Sequence, residues 1–262
     1  MSIILRYLFI IISFSLSAQT NYTCNKLDSL QFRKINKFIG KDNFQNYYYL
    51  VNNELLKQNN NQTYNYKNLA LGKIDDISIE NPLQIILLYK SFNIVILLDN
   101  QLNEVQKIDF NSINQNLIIT SIGFGGQNKL WFFDSVSQKI GIYDLITSSI
   151  KFLSTPLKGN ITKKMTTYNL FYFVNENNEY LSISIFGKIQ KIGNLPPNEG
   201  FCFLDESKII FINNGSFFAY DFGFKTISKL NISEKSFHNF FFKDGILSIF
   251  TNNKIINYQI NF

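Results

Sequence analysis

The stretch Asn81–Phe110, NPLQIILLYKSFNIVILLDNQLNEVQKIDF, decides the fold. It contains two apolar runs, Gln84–Tyr89 and Ile94–Asp99, separated by the short polar turn Lys90–Asn93. Runs of about five consecutive apolar residues between turn signals are typical of strands that are buried on both faces. We therefore predict a β-hairpin in the middle of a covered sheet, followed by a weaker outer strand near Glu104–Phe110.

The same hairpin pattern occurs six times along the chain. The hairpins begin near residues 46, 84, 129, 169, 208 and 245. Weaker strand candidates flank them, for example Leu117–Gly123 before the third hairpin and Ile150–Leu153 after it. A period of about 40 residues with four strands per unit is the length of a propeller blade. We predict an all-β protein, a β-propeller of about six short four-stranded blades, whose inner strands line a channel and whose outer strands meet solvent.

Two other all-β architectures, a β-sandwich and an outer-membrane β-barrel, are alternatives. The last residues, Ile256–Phe262, alternate between apolar and polar positions and end in Phe, as strands at the C-terminus of bacterial barrels do. Barrel strands need about 9–11 alternating residues. The central strands here are about five residues long and apolar at consecutive positions. The propeller is therefore the preferred interpretation.

The N-terminal residues read as a secretory signal. Arg6 gives a positive start, Tyr7–Ile12 form the apolar run, and Ser15, Ser17 and Ala18 supply small residues for cleavage. The run is shorter than the roughly 20 residues that span a bilayer. We predict a signal peptide over 1–18, an N-terminal arm over 19–45 and a single propeller-like domain over 46–262. The arm lends a strand that closes the ring, or it forms a short helix.

The predicted signal peptide indicates export, which restricts the compartment of the mature protein. We expect a periplasmic, outer-membrane-associated or extracellular protein, with no transmembrane helix after signal removal. Lipidation of Cys24 is not expected, because Asn21, Tyr22 and Thr23 before it are not the small residues that a lipoprotein signal needs. In an exported chain the two cysteines, Cys24 and Cys202, permit one disulfide. The alternative is two unpaired thiols, with Cys202 buried.

The charge pattern argues against nucleic acid as a partner. The formal net charge is +6, from 25 basic and 19 acidic residues. The lysines are scattered, whereas a nucleic-acid binder shows a basic stripe. A lysine-rich solvated surface is the simpler interpretation.

No catalytic, cofactor-binding or metal-binding residues are predicted. His238 is the only histidine, and two cysteines are too few for a thiolate metal site. His238 and Trp131 are the candidates for ligand-facing residues, although a strand position and a core position respectively are the simpler roles. The glycines of Gly123–Gly126 precede a strand, so they favour a bend over a phosphate loop.

Paired carboxylates support one enzymatic alternative. Asp75-Asp76 and Asp205-Glu206 are adjacent acidic pairs at predicted turns. A carbohydrate-active propeller would need two carboxylates at its channel.

The repeat layout resembles uncharacterised exported β-propeller-like proteins of the bacterial cell envelope. The resemblance covers residues about 40–262 and rests on repeat length and on patterns such as Asn81–Phe110 and Ser121–Asp144. It implies a fold and a location but no reaction. We expect a non-catalytic envelope protein that binds a protein or glycan partner through propeller loops, because loops on a rigid scaffold are where recognition takes place.

Overall fold

The chain forms six four-stranded antiparallel sheets, which are the blades of a six-bladed β-propeller. The computed structural model describes residues 22–31, 35–59, 62–252 and 254–261. The first strand of the chain, β1 (Thr23–Gln31), belongs to the last blade. The next twelve strands build the first three blades: β2 (Lys37–Lys41), β3 (Tyr47–Val51), β4 (Glu54–Gln58) and β5 (Thr63–Tyr66); β6 (Asp76–Ser78), β7 (Ile85–Tyr89), β8 (Ile94–Leu98) and β9 (Glu104–Asp109); β10 (Ile119–Phe124), β11 (Lys129–Asp134), β12 (Lys139–Asp144) and β13 (Ser149–Phe152).

The remaining strands build blades 4 to 6. They are β14 (Ile161–Thr166), β15 (Leu170–Asn175), β16 (Glu179–Ser184) and β17 (Ile189–Asn194); β18 (Gly200–Phe203), β19 (Lys208–Asn213), β20 (Ser216–Asp221) and β21 (Thr226–Lys229); β22 (Asn239–Lys243), β23 (Ile246–Phe250) and β24 (Lys254–Asn261). One helical turn, α1 (Phe110–Ile113), follows β9, and a 3₁₀ turn spans Lys90–Phe92.

All six predicted hairpins are confirmed as the second and third strands of the blades. The decisive pair, β7 and β8, is buried along its whole length, as consecutive apolar residues require. The outer strands are far more exposed, and each lies at the edge of its sheet. The burial pattern therefore follows from position in the blade, with the apolar area removed from water concentrated on the two central strands.

The ring closes where the two ends of the chain meet. Strand β1 pairs antiparallel with β24 from Thr23↔Asn261 to Gln31↔Lys254, with a register shift between Lys26 and Asp28. This gives blade 6 its outer strand. The described residues of the segment 19–45 thus include a closing strand and no helix, and they also contain β2, the inner strand of blade 1.

A buried polar network joins this closure to blade 1. The Asn257 side-chain amide donates to Asp28 Oδ1 at 2.6 Å and to the Tyr47 hydroxyl at 3.0 Å. Its carbonyl oxygen accepts from Ser248 Oγ at 2.7 Å. Asn257 is 1% exposed. Since a buried amide must find partners, this network specifies how the last blade meets the first.

Small residues let the inner strands approach one another. A Cβ at Gly40 would lie 2.8 Å from the Phe241 ring of blade 6, and a Cβ at Gly123 would lie 2.5 Å from Thr166 of blade 4. Real Cβ contacts are not that short. The absence of a side chain at these two positions therefore permits the close packing of neighbouring blades around the axis.

Candidate functional site: the turn face and the channel

The two ends of the propeller carry different loops. One end holds the turns between the first and second strands and between the third and fourth strands of each blade. We call it the turn face. The opposite end holds the turns between the second and third strands and the connections between blades, and we call it the connection face. This assignment follows from the antiparallel order of each sheet.

Exposed large apolar residues mark the tips of the turn face. Within the part of the chain that the structure describes, six of them occupy its turns and are 59–90% exposed: Phe44, Leu83, Ile146, Tyr168, Phe186 and Phe224. Three of these, Ile146, Phe186 and Phe224, lie in the turns between the third and fourth strands of the consecutive blades 3, 4 and 5. We call these three the apolar arc.

The acidic side chains in the turns of the apolar arc accept hydrogen bonds from the backbone of the same turns. Asp144 Oδ1 accepts from the backbone N–H groups of Ile146 and Thr147, both at 3.0 Å. The bond from Thr147 is the largest cause that lowers the pKa of Asp144, so its carboxylate stays ionised. Asp221 Oδ1 accepts from Gly223 and Phe224 in the same manner. These carboxylates therefore shape the turns, as Asp at the start of a turn commonly does.

Two cavities open beside the turn face. One, of about 300 Å³, lies between blades 3 and 4. The other, of about 250 Å³, lies between blades 1 and 2 and is lined by amide side chains such as Asn46, Asn59 and Gln62. Both cavities are clefts between neighbouring blades.

The channel contains an ion pair that joins non-adjacent blades. Lys164 Nζ on β14 lies 3.3 Å from Asp76 Oδ2 on β6. The Lys164 side chain is only 9% exposed. Burial opposes its charge, but the Asp76 and Glu80 carboxylates outweigh that effect and raise the pKa of Lys164. The pair is therefore a charged bridge between blades 2 and 4.

The neighbouring lysine has no such partner. Lys163 Nζ donates to the Phe201 carbonyl oxygen and lies 4.8 Å over the Phe201 ring. Burial is the main cause that lowers the pKa of Lys163, and the charge of Lys37 adds to it. Two consecutive lysines on β14 thus reach different blades, because successive side chains of a strand point to opposite sides.

Trp131 does not face a ligand in this structure. Its side chain is fully buried, and Nε1 donates to the Thr167 carbonyl oxygen at 3.1 Å. It packs against Phe171 of the next blade with ring centroids 5.8 Å apart. The ligand-facing role considered for Trp131 is corrected to a core role, because β11 is a central strand whose two faces are both covered.

His238 lies at the start of the inner strand of blade 6. Its side chain is exposed, and its backbone N–H donates to the Phe250 carbonyl oxygen at 2.8 Å. The imidazole centroid is 5.6 Å from the Phe250 ring. The exposed side chain on the connection face is compatible with a ligand-facing role, which stays a prediction for His238.

The two cysteines lie in one apolar cluster of blades 5 and 6, and the structure holds both as free thiols. Cys202 is buried, and desolvation raises its pKa to about 12. Cys24, on β1, is half-buried. Such thiols are poor nucleophiles, because the thiolate is the reactive form.

Three of the four carboxylates in the acidic pairs of the enzymatic alternative have structural partners. Asp75 Oδ2 accepts from the Lys90 backbone N–H at 2.9 Å, while Asp76 pairs with Lys164. In the other pair, Asp205 accepts from its own turn and pairs with Lys208.

The described residues contain no group of three or more His, Cys, Asp or Glu that would hold a metal ion. No helix among them is long and apolar enough to cross a membrane. The predicted signal peptide, residues 1–18, lies outside the described residues.

Sequence reasoning did not find the roles of the two β14 lysines or the apolar tips. The tips had a weak signal, namely a single large apolar residue inside an otherwise polar turn, as at Phe186 and Phe224. No sequence signal indicated Asp76 as the partner of Lys164, because only the closure of the ring brings β6 and β14 together.

No protein-family model matches this chain, and no curated protein matches it. Solved structures do. A streptogramin B lyase is 14% identical, with 93% of this chain and 99% of that chain covered and a TM-score of 0.58. The β-propeller domain of Cps50 (Swd1) from Myceliophteria thermophila is 8% identical, with 91% and 100% covered and a TM-score of 0.61. A member of the DUF4221 family from Bacteroides vulgatus is 8% identical, with 93% and 99% covered and a TM-score of 0.57. At these identities the likeness shows the fold alone, and that fold is the β-propeller.

Proposed function

We propose that this propeller is a non-catalytic, exported binding protein that holds a protein partner on its turn face. The single observation that carries the proposal is the apolar arc, three large side chains that are 76–90% exposed on consecutive blades. Isolated exposed apolar residues need no explanation, but several large ones grouped on one face of a domain favour an interaction surface.

The charged residues in the turns that carry the apolar arc suggest the chemistry of the partner. Lys188 and Lys225 are exposed in the same turns as Phe186 and Phe224. Neither forms an ion pair with another described residue, while Asp144 and Asp221 are engaged by their own turns. The partner that complements this surface is a protein with an apolar patch and an acidic rim. Such rim charges steer encounter more than they strengthen binding.

Export and an envelope location are part of the proposal, supported by the sequence of residues 1–18. The resemblance to exported propeller-like proteins of the bacterial envelope supports the same location.

The test is a cross-linked pull-down from the native cell envelope with three forms of the tagged mature chain. They are the wild type, an arc variant (Ile146→Ser, Phe186→Ser, Phe224→Ser) and a matched control on the connection face (Leu69→Ser, Phe92→Ser, Val136→Ser). Substitution of exposed tips should leave folding intact, which the fluorescence of the single Trp would verify.

We expect one protein in near-equal amount with the wild type and the control, and its loss with the arc variant. Equal recovery with the arc variant would place the partner elsewhere. Recovery of the chain alone in all three forms would overturn the proposal.

A further inference from the structure

The cavity between blades 3 and 4 combines three kinds of lining. Its apolar wall includes Ile142 and Ile185, its amide groups are Gln127 and Asn169, and an aromatic ring, Tyr168, lies at its rim. Ligand pockets share this composition of apolar surface with a few placed polar groups. The volume of about 300 Å³ accommodates one or two monosaccharide-sized rings.

The Tyr168 ring is held in place by its surroundings. It lies edge-on to Phe124, with centroids 5.2 Å apart and an interplanar angle of 89°. Gly126 has a φ of +64°, and a Cβ there would lie 2.0 Å from Tyr168 Cδ1. The glycine thus provides both the left-handed turn and the room for the ring. The side chain is still 59% exposed, so the ring offers a positioned aromatic surface to a ligand.

The charge of the lining is unbalanced. Lys129 and Lys151 both line the cavity, and neither forms an ion pair with another described residue. Asp144 is the carboxylate of the lining, and it is held by the N–H groups of its own turn. Asp144 stays ionised and interacts electrostatically with Lys129, so two ammonium groups against one carboxylate leave a net positive charge. This net charge attracts an anion, with charge-assisted hydrogen bonds to its oxygens.

We propose that this cavity binds an anionic saccharide, whose carboxylate lies near Lys129 and Lys151 and whose ring packs against Tyr168. A hexuronic acid has the required features together: an apolar C–H face for an aromatic ring, hydroxyls for the side-chain amides, and a carboxylate for the lysines. The inference is independent of the proposed protein partner, because the lysines of the cavity are not residues of the apolar arc.

The probes are D-glucuronate, D-glucose and N-acetyl-glutamate, titrated into the mature chain and followed by isothermal calorimetry and ligand-observed NMR. We expect D-glucuronate to bind at millimolar concentrations and each of the other two to bind about tenfold more weakly or worse. Binding of D-glucuronate should weaken with added salt.

The variants Lys129→Gln, Lys151→Gln and Tyr168→Ala should each weaken D-glucuronate binding about fivefold or more. Lys67→Gln and Lys73→Gln, exposed lysines outside both the cavity and the turns of the apolar arc, should leave it unchanged. Equal affinity for D-glucose would remove the role of the carboxylate. Equal affinity for N-acetyl-glutamate would make the site a carboxylate site without sugar recognition. Either of these two results would overturn the inference. Unchanged binding in the cavity variants, or no binding of D-glucuronate by a folded wild type, would also overturn it.

Discussion

Lys164 of blade 4 and Asp76 of blade 2 form an ion pair with Nζ and Oδ2 3.3 Å apart, although blade 3 separates their blades in the ring. Asp76→Asn should lower the free energy of unfolding by about 2 kcal/mol. This is less than the cost of breaking a fully buried pair, since the Asp76 side chain is 28% exposed. Denaturant unfolding would measure it. The double variant Asp76→Asn/Lys164→Met should be more stable than Asp76→Asn alone. A single variant as stable as the wild type would show that the pair contributes nothing.

The same ion pair predicts a pH dependence. The pKa of Lys164 is raised in the folded state above its ordinary value of 10.5. Its stabilisation is therefore fully present below pH 10.5 and is lost as the pH rises through the folded-state value. The difference in unfolding free energy between the wild type and Asp76→Asn should stay constant from pH of about 8 to 10 and shrink above it. Buried Tyr48 and Tyr180 also have raised pKa values, but they destabilise both proteins equally at high pH. A difference that grows above this range would contradict the assignment.

The closure of the ring depends on Asn257. Asn257→Leu removes a buried amide and leaves Asp28, Tyr47 and Ser248 without that partner. We expect a loss of about 2–4 kcal/mol in the free energy of unfolding, because unsatisfied buried polar groups are costly. Asn261→Leu is the matched control, since Asn261 lies on the same strand but is exposed. Equal effects of the two substitutions in thermal or denaturant unfolding would show that the buried network is not what matters.

The two thiols should differ in reactivity. The buried Cys202 should resist iodoacetamide in the folded protein, because its thiol pKa is raised to about 12. Cys24 should react faster, since it is only half-buried. Mass spectrometry after timed labelling would separate the two sites. Labelling under denaturing, non-reducing conditions should reveal two thiols per chain. The absence of both would instead establish the disulfide that the sequence permits.

Trp131 should act as a core residue. Trp131→Ala should cost about 3–5 kcal/mol of unfolding free energy, as expected when a large buried ring is removed. Trp131→Phe should cost less, since it keeps a ring against Phe171 but loses the bond to the Thr167 carbonyl. Chemical denaturation measures both. D-glucuronate binding that survives Trp131→Phe would separate the core role from ligand contact, whereas a stable Trp131→Ala variant would contradict burial.

Two strands of blade 1 escaped prediction for a local reason. Strand β2, KFIGK, is interrupted by glycine, and β5, TYNY, is four residues long and half polar. Neither has the run of apolar residues that distinguishes the hairpins. Their strand structure is imposed by pairing with β3 and β4, which supplies the hydrogen bonds that the local sequence does not demand.

The sequence by itself determined the repeated unit. Strands such as β7 and β11 are apolar at consecutive positions, and turns such as Asn214-Gly215 favour positive φ, so each hairpin is encoded within about a dozen neighbouring residues. Only the tertiary structure decided which side chains meet. The Lys164–Asp76 pair, the cavity lined by Lys129, Lys151 and Tyr168, and the covered position of Trp131 all arise between different blades. Their partners are distant in the chain, and they come together only because six twisted sheets close into a ring.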